Sequence, residues 1–289
     1  FGPEPEVHRR LVLQASWIDP TFIRNCLTLA LVRELGGLAP RCQYVALSFN
    51  GELRGLFVGI ERVDREFLVR NGLAEDGLVL KASSNNADWQ DKSDPLEGFE
   101  VQINEDAPTD GIGELLRVCA DTEATFADFE EGVSPWLDLG DFMVWQQAHT
   151  LADNRDTFTK NYYLHYDWVR RTLPFRLISW DADATWGRNW DGAVVDPGRA
   201  TRLWGSDHFA PRLFSIAEYV EPYTDQYAAD VLDGELRAWL HDEVDDAAEL
   251  VREAARADLA VWQEEVDFDR EIETLHEAID ARFDALSAA

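Results

Sequence analysis

The chain has 289 residues, enough for one large domain or two lobes with a sizeable buried core. It carries 26 Lys and Arg against 56 Asp and Glu, a formal charge of -30, so nucleic acid and anionic lipid are poor partners on charge alone. No apolar run is long enough to cross a bilayer, and Cys26, Cys42 and Cys119 are spaced for neither a disulfide framework nor a zinc site.

Lys81, Lys92 and Lys160 are the lysines, so almost all positive charge is arginine. Such a surface fits high salt, where screening relieves self-repulsion, and fits equally a generally acidic, GC-rich lineage. The chain opens on Phe1 without a basic and apolar leader, which reads as a processed or excised product and is compatible with a removed signal peptide.

In chain order, Arg10 to Ala15 forms a short apolar strand candidate after a Pro-rich opening. Asp19-Pro20 then supplies an N-cap and a first-turn proline for a helix running to Leu35, closed by Gly36-Gly37. Tyr44 to Phe49, the Asn50-Gly51 turn and Leu53 to Ile60 spell a β-hairpin. Leu78 to Lys81 is a further strand. Ala82 to Pro108 is polar and aperiodic and reads as a loop, with the boundary between an N-terminal lobe (1–108) and a C-terminal lobe (109–289) inside it. Helical periodicity returns from Gly111, and again over Phe142 to Leu151 as a buried helix. Phe175 to Trp180 is strand-like. Beyond it, Phe209 to Val220, Thr224 to Leu232, Leu236 to His241, Val244 to Val266 and Phe268 to Leu286 show apolar helical faces. The fold class is α+β: strands first, helices after.

The chemistry concentrates between Asp156 and Gly187. Asp156 precedes Asn161 by five residues, and Asp181 ends the following strand. An acid to take a hydroxyl proton, followed by an amide and a carboxylate to hold a metal, is the set that phosphoryl transfer needs. Three other readings use the same residues. Asp181-Ala-Asp183-Ala-Thr185 matches the DxDxT of a phosphatase, but that fold needs several βα units downstream and only helices follow. A calcium loop fails, because Trp186 stands where its glycine belongs and Gly192 where its bidentate Glu belongs. Acids that merely cap helices or face solvent are the plain alternative, opposed by the apolar setting of Asp181 between Trp180 and Trp186. Eleven tryptophans also raise sugar stacking or a glycosidase acid pair, yet Trp17, Trp136, Trp145, Trp168, Trp204, Trp239 and Trp262 are scattered as core aromatics are. The six histidines show no metal spacing and read as structural or exposed.

Four stretches, WIDPTFIRN (17–25), NGELRGLFVGIERVDREFL (50–68), NRDTFTKNYYL (154–164) and ISWDADATWGRN (178–189), together with the helical tail, resemble the CotH kinase family. The resemblance covers nearly the whole chain. It implies an atypical, kinase-like fold with a small β-rich N-terminal lobe and a mostly helical C-terminal lobe. It further implies transfer of the γ-phosphoryl of ATP to Ser or Thr of a protein substrate, with Mg²⁺ or Mn²⁺. On this sequence Asp156 would be the catalytic-loop acid, and Asn161 and Asp181 the metal ligands. The helix from Asp19 would stand where a kinase places its regulatory helix, and Glu61 would lie near the adenine. Thr159 and Lys160 would approach the phosphate, while Asp183, Trp186, Arg188 and Asn189 would surround the metal site or shape substrate access. Family members occur in spore coats and among exported proteins, which points to a cell-surface or extracellular location.

One departure stands out. Gln14 occupies the strand position where a kinase carries its phosphate-binding lysine, and no Gly-rich phosphate loop is visible. Lys81, Arg9 or Arg10 could supply the missing charge. A pseudokinase or surface-binding module of the same fold is therefore the main alternative to an active enzyme.

Overall fold

The computed structural model describes residues 10–121, 123, 125–170, 174–198 and 209–288. The molecule is α+β, with two small antiparallel sheets preceding and flanking a helical remainder. Arg9 and Trp204 lie outside the described residues.

The first sheet has the order β1-β3-β2, from β1 (Leu11–Gln14), β2 (Cys42–Phe49) and β3 (Glu52–Glu61). β2 and β3 are the expected hairpin. Asn50 and Gly51 both take positive φ, 52° and 83°, the conformation that lets a two-residue turn follow the twist of the strands. β1 pairs with β3 in the register Gln14↔Val58 to Leu11↔Glu61, so Gln14 and Glu61 stand at opposite ends of the shared ladder, about 10 Å apart along it.

α1 (Arg24–Glu34) begins later than Asp19-Pro20 predicts. Phe22 adopts φ 61°, which no helix accommodates, so residues 19–22 form a separate turn. Asp19 still caps, but at a distance. Its carboxylate accepts from the backbone N–H of Thr21 (3.1 Å) and of Arg24 (2.8 Å), and it pairs with the Arg24 guanidinium at 2.6 Å in a fully buried ion pair. Gly36, at φ 89°, ends the helix as expected.

The second sheet has the order β5-β4-β6-β7 and draws strands from both sides of residue 108. β4 (Leu78–Ala82) and β7 (Arg176–Ser179) are the predicted strands; β5 (Phe99–Ile103) and β6 (Tyr162–Tyr166) are not. β5 lies inside the segment read as loop, where five residues between turn-rich flanks give too little alternation to register. β6 is buried on both faces, so YYLHY shows no alternation at all. A short helix missed by the periodicity, α2 (Arg65–Arg70), follows β3, capped by Asp64 through the N–H groups of Glu66 and Phe67.

α3 (Asp110–Asp121) leads through a short helical turn, α4 (Phe126–Asp128), and a π-helical turn (Phe129–Val133) to α5 (Leu139–Leu151). Among the described residues four helices follow: α6 (Phe209–Leu213), α7 (Ala217–Leu232), α8 (Glu235–Trp262) and α9 (Phe268–Ser287). Their boundaries differ from those read from periodicity. α7 runs through Pro222, whose missing N–H costs one hydrogen bond without ending the helix, and α8 is continuous across His241 and Val244. Two apolar clusters result. One joins α1, β3, α8 and α9, and the other is an aromatic core of Trp89, Phe129, Phe142, Trp145, Tyr162 and Phe209 between the second sheet, α5 and α6.

The tryptophans divide. Trp145 is core as expected, while Trp17 and Trp262 are well exposed, at 67% and 59%.

Candidate active site

Three segments meet where the two sheets approach: the end of β1, the loop after α5 and the loop after β7. α5 and β7 lie side by side, which brings buried His149 against Ser179. Burial alone lowers the proton affinity of His149 to a pKa of about 3, so the imidazole is neutral. Its Nδ1 accepts from Asn154 Nδ2 (3.1 Å), leaving Nε2–H to donate to Ser179 Oγ (3.0 Å). The Asn154 Oδ1 in turn accepts the Asp156 backbone N–H at 3.1 Å. A buried polar chain thus runs from the helix end to the backbone of the predicted catalytic acid.

Asp156 is held on both oxygens. Oδ2 accepts from Asn161 Nδ2 (3.0 Å) and Oδ1 faces Lys160 Nζ (3.1 Å). With its amide nitrogen on Asp156, Asn161 turns Oδ1 the other way. Asn161 sits at φ 61° and its N–H bonds to Ala82 O (3.0 Å), which pins the loop to the end of β4 beside Lys81. Thr159 lies at the exposed edge, with Oγ1 3.4 Å from Asn85 Oδ1.

After β7 the chain turns at Asp181, φ 53°. Asn25 of α1 fixes this turn by accepting the Ala182 N–H on Oδ1 (3.0 Å), while its Nδ2 donates to Gln14 Oε1 (2.5 Å). Gln14 is thereby oriented so that Nε2 reaches both acids, Asp181 Oδ1 at 3.1 Å and Asp183 Oδ2 at 3.0 Å. Asn25 is fully buried and was not singled out in the sequence; a polar residue on a helix buried all round is the signal that marks it, because such a group needs a partner.

The carboxylates feel one another. Asp181 is pushed above its ordinary range first by burial and then by Asp156, opposed by the Gln14 hydrogen bond and by Lys81 and Lys160. Asp183 is pushed up to about 7, by burial first and then by Asp181, Asp19 and Asp156. Lys81 Nζ lies over the Trp180 ring, 5.7 Å from its centroid. The structure therefore brings together Gln14, Lys81, Asp156, Lys160, Asn161, Asp181 and Asp183.

The remaining predicted residues stand outside this cluster. Glu61 is buried and bound to Arg70 and to the Arg41 N–H (3.1 Å). Trp186 is fully buried: Nε1–H donates to Thr28 Oγ1 (2.9 Å), and its backbone N–H bonds to Ala152 O, joining the two loops. Arg188 pairs with Glu271 of α9 and donates to Gly192 O (2.9 Å). Asn189 closes a tight turn with Gly192 and Ala193. Trp186 and Arg188 thus hold the Asp181 loop to α1 and α9.

The donor set is all oxygen on the acid side, the chemistry that suits Mg²⁺ or Mn²⁺. Among the described residues no three His, Cys, Asp or Glu side chains form a closed metal cage.

The chain is 27% identical over 223 residues to the Inner spore coat protein H of Bacillus subtilis (strain 168), an alignment covering 74% of this chain and 60% of that protein. The family model described as CotH kinase protein matches residues 2–286. The chain belongs to the CotH kinase protein family.

Proposed function

We propose that the chain is an atypical protein kinase that transfers the γ-phosphoryl of ATP to a Ser or Thr hydroxyl of a protein, assisted by Mg²⁺ or Mn²⁺. The observation that carries this reading is the cluster of Asp156, Asn161 and Asp181, delivered by two loops in the order that phosphoryl transfer requires. Asp156 would accept the substrate hydroxyl proton. Lys160 and Asn161 hold its carboxylate in place for that task. Asp181 and the Oδ1 of Asn161 would hold the metal, with Asp183 next to them; the bound ion would neutralise charge on the transferred phosphoryl group. Crowding of the three carboxylates supports this assignment: Asp181 and Asp183 are raised first by burial and then by neighbouring carboxylates, and a divalent cation would relieve that repulsion.

Among the described residues, Lys81 and Lys160 both act on Asp181 and would be cations within reach of the phosphates. Glu61, at the far end of the β1–β3 ladder from Gln14, would lie near the adenine. A specific observation favours a second reading, a pseudokinase: neutral Gln14 spans Asp181 and Asp183 where a phosphate-binding lysine is expected. The name of the Bacillus relative supports a coat or surface location for this chain. The chain spans 60% of that protein's length, so the role of the whole relative comes to it only as a proposal.

The test is incubation of the purified protein with γ-labelled ATP and Mg²⁺ or Mn²⁺. Label on the protein, lost in Asp181→Asn, supports the kinase. Nucleotide binding without label supports the pseudokinase, and phosphate release from a generic monoester would favour the DxDxT reading. Neither binding nor label removes the kinase proposal.

A further inference from the structure

α8 and α9 pack against each other, and one histidine from each meets across the seam. His241 and His276 are about a quarter exposed, at 25% and 24%. Nε2 of His241 lies 2.9 Å from Asp280 Oδ1, and Nε2 of His276 lies 3.1 Å from Asp245 Oδ1. An ionised carboxylate only accepts, so each Nε2 carries the ring hydrogen and each Nδ1 presents a bare lone pair. Those two Nδ1 atoms are 2.6 Å apart. The ring planes differ by 17° with centroids 4.9 Å apart, a separation that exceeds the nitrogen distance by roughly two ring radii. The imidazoles therefore lie head to head in nearly one plane, not face to face.

Two lone pairs aimed at each other at that distance repel unless a cation lies between them. Without a metal, a proton shared between the two Nδ1 atoms would relieve that repulsion. We propose that the pair is also a binding site for a d-block divalent cation of the Zn²⁺, Ni²⁺ or Cu²⁺ class, ligated by the two Nδ1 atoms and by water, with release of the shared proton to solvent. Metal-bound histidines commonly donate their other ring N–H to a carboxylate, and both rings here have that partner in place. Asp280 is itself fixed by Arg237 at 2.6 Å, so the His241 ring is anchored from outside. Metal–nitrogen bonds of about 2.0–2.1 Å at a tetrahedral or square N–metal–N angle put the Nδ1 atoms roughly 3 Å apart, and each ring must turn by roughly 40° so that its lone pair meets the ion, a rearrangement that falls on two partly exposed side chains. Nitrogen ligands separate this site from the oxygen cluster around Asp181, which suits harder ions. Among the described residues no larger group of ligating side chains competes with it. A bound ion would cross-link α8 to α9, so binding should register as stability.

The experiment uses the whole chain in excess Mg²⁺, which occupies oxygen sites, with Zn²⁺ titrated calorimetrically and the thermal midpoint followed in parallel. One equivalent of Zn²⁺ should bind and raise the midpoint. His241→Gln and His276→Gln should each abolish that binding, and Asp245→Asn should weaken it about 10–100-fold. Cu²⁺ added to the wild type should show electron paramagnetic hyperfine coupling to two nitrogens, a readout that does not depend on either variant folding. Zn²⁺ binding that persists unchanged in folded His variants, no Zn²⁺ binding by the wild type, or a Cu²⁺ spectrum without nitrogen coupling would each overturn the proposal.

Discussion

At the scale of single residues, the site depends on polar groups that only tertiary contact makes sense of. Asp156, Asn161 and Asp181 were singled out as candidates because their order and spacing suit phosphoryl transfer, and the structure brings them into one cluster. Their supports were not. His149 reads as one of six scattered histidines in the sequence, yet through Asn154 it fixes the backbone of Asp156. Asn25 binds Gln14 and Ala182, residues 11 and 157 positions away, and no local pattern announces such partners. The neutrality of His149 gives a checkable pH dependence. The unfolded chain takes up a proton on this side chain as pH falls through the ordinary value of 6.5, whereas the folded protein resists protonation until about 3. Stability from this group is thus fully present above 6.5 and is lost progressively between 6.5 and 3. Between pH 7 and pH 5 the loss should be about 2 kcal/mol. Urea unfolding at both pH values should show that difference between wild type and His149→Gln, after the effect of the carboxylates common to both is subtracted. Equal pH slopes in the two proteins would show that His149 is not held neutral.

At the scale of elements, the strongly periodic helices and the Asn-Gly hairpin could be read directly, because their signals are local. β5 and β6 could not. Each is five residues long, and β6 is buried on both faces, so neither displays the alternation that marks a half-exposed strand. The start of α1 was misplaced for a different reason: Asp19 and Pro20 have the chemistry of a helix start, but the buried pair of Asp19 with Arg24 imposes another turn first. The attachment of α9 was equally hidden. Arg282, fully buried on that helix, donates to the carbonyls of Thr150 and Leu151 at the end of α5 and to Pro197 O. A guanidinium there adds charged donors to carbonyls at the helix C-terminus, where Thr150 O already accepts the Asp153 N–H, just before the loop that carries Asp156. Arg282→Leu should destabilise the protein by about 3 kcal/mol, since buried carbonyls lose charged donors. Chemical denaturation tests this; a change under about 0.5 kcal/mol, as for an ordinary surface site, would show that solvent replaces the guanidinium.

At the scale of the whole molecule, composition and topology constrain different things. The charge of -30 repels a phosphate backbone but says nothing of the fold. What the topology adds is that a four-stranded sheet joins residues from both sides of position 108, so the acids after α5 and β7 are braced by β4 from the earlier chain. If the acidic surface is an adaptation to salt, the thermal midpoint should climb steadily from dilute buffer to about 1 M NaCl, where screening is short-ranged. A midpoint that stays level or falls would assign the acidity to composition alone. The central claim is narrower: Asp156 serves transfer, whereas Asp181 and Asn161 serve the metal. Its most direct test is the rate of phosphoryl transfer at saturating Mg²⁺ and ATP in Asp156→Asn, a substitution that keeps the size of the side chain and its place beside Asn161. A fall of at least 10²-fold, with nucleotide binding retained, is the expected result. Transfer at the wild-type rate would contradict the assignment of Asp156 as the acid that takes the substrate proton.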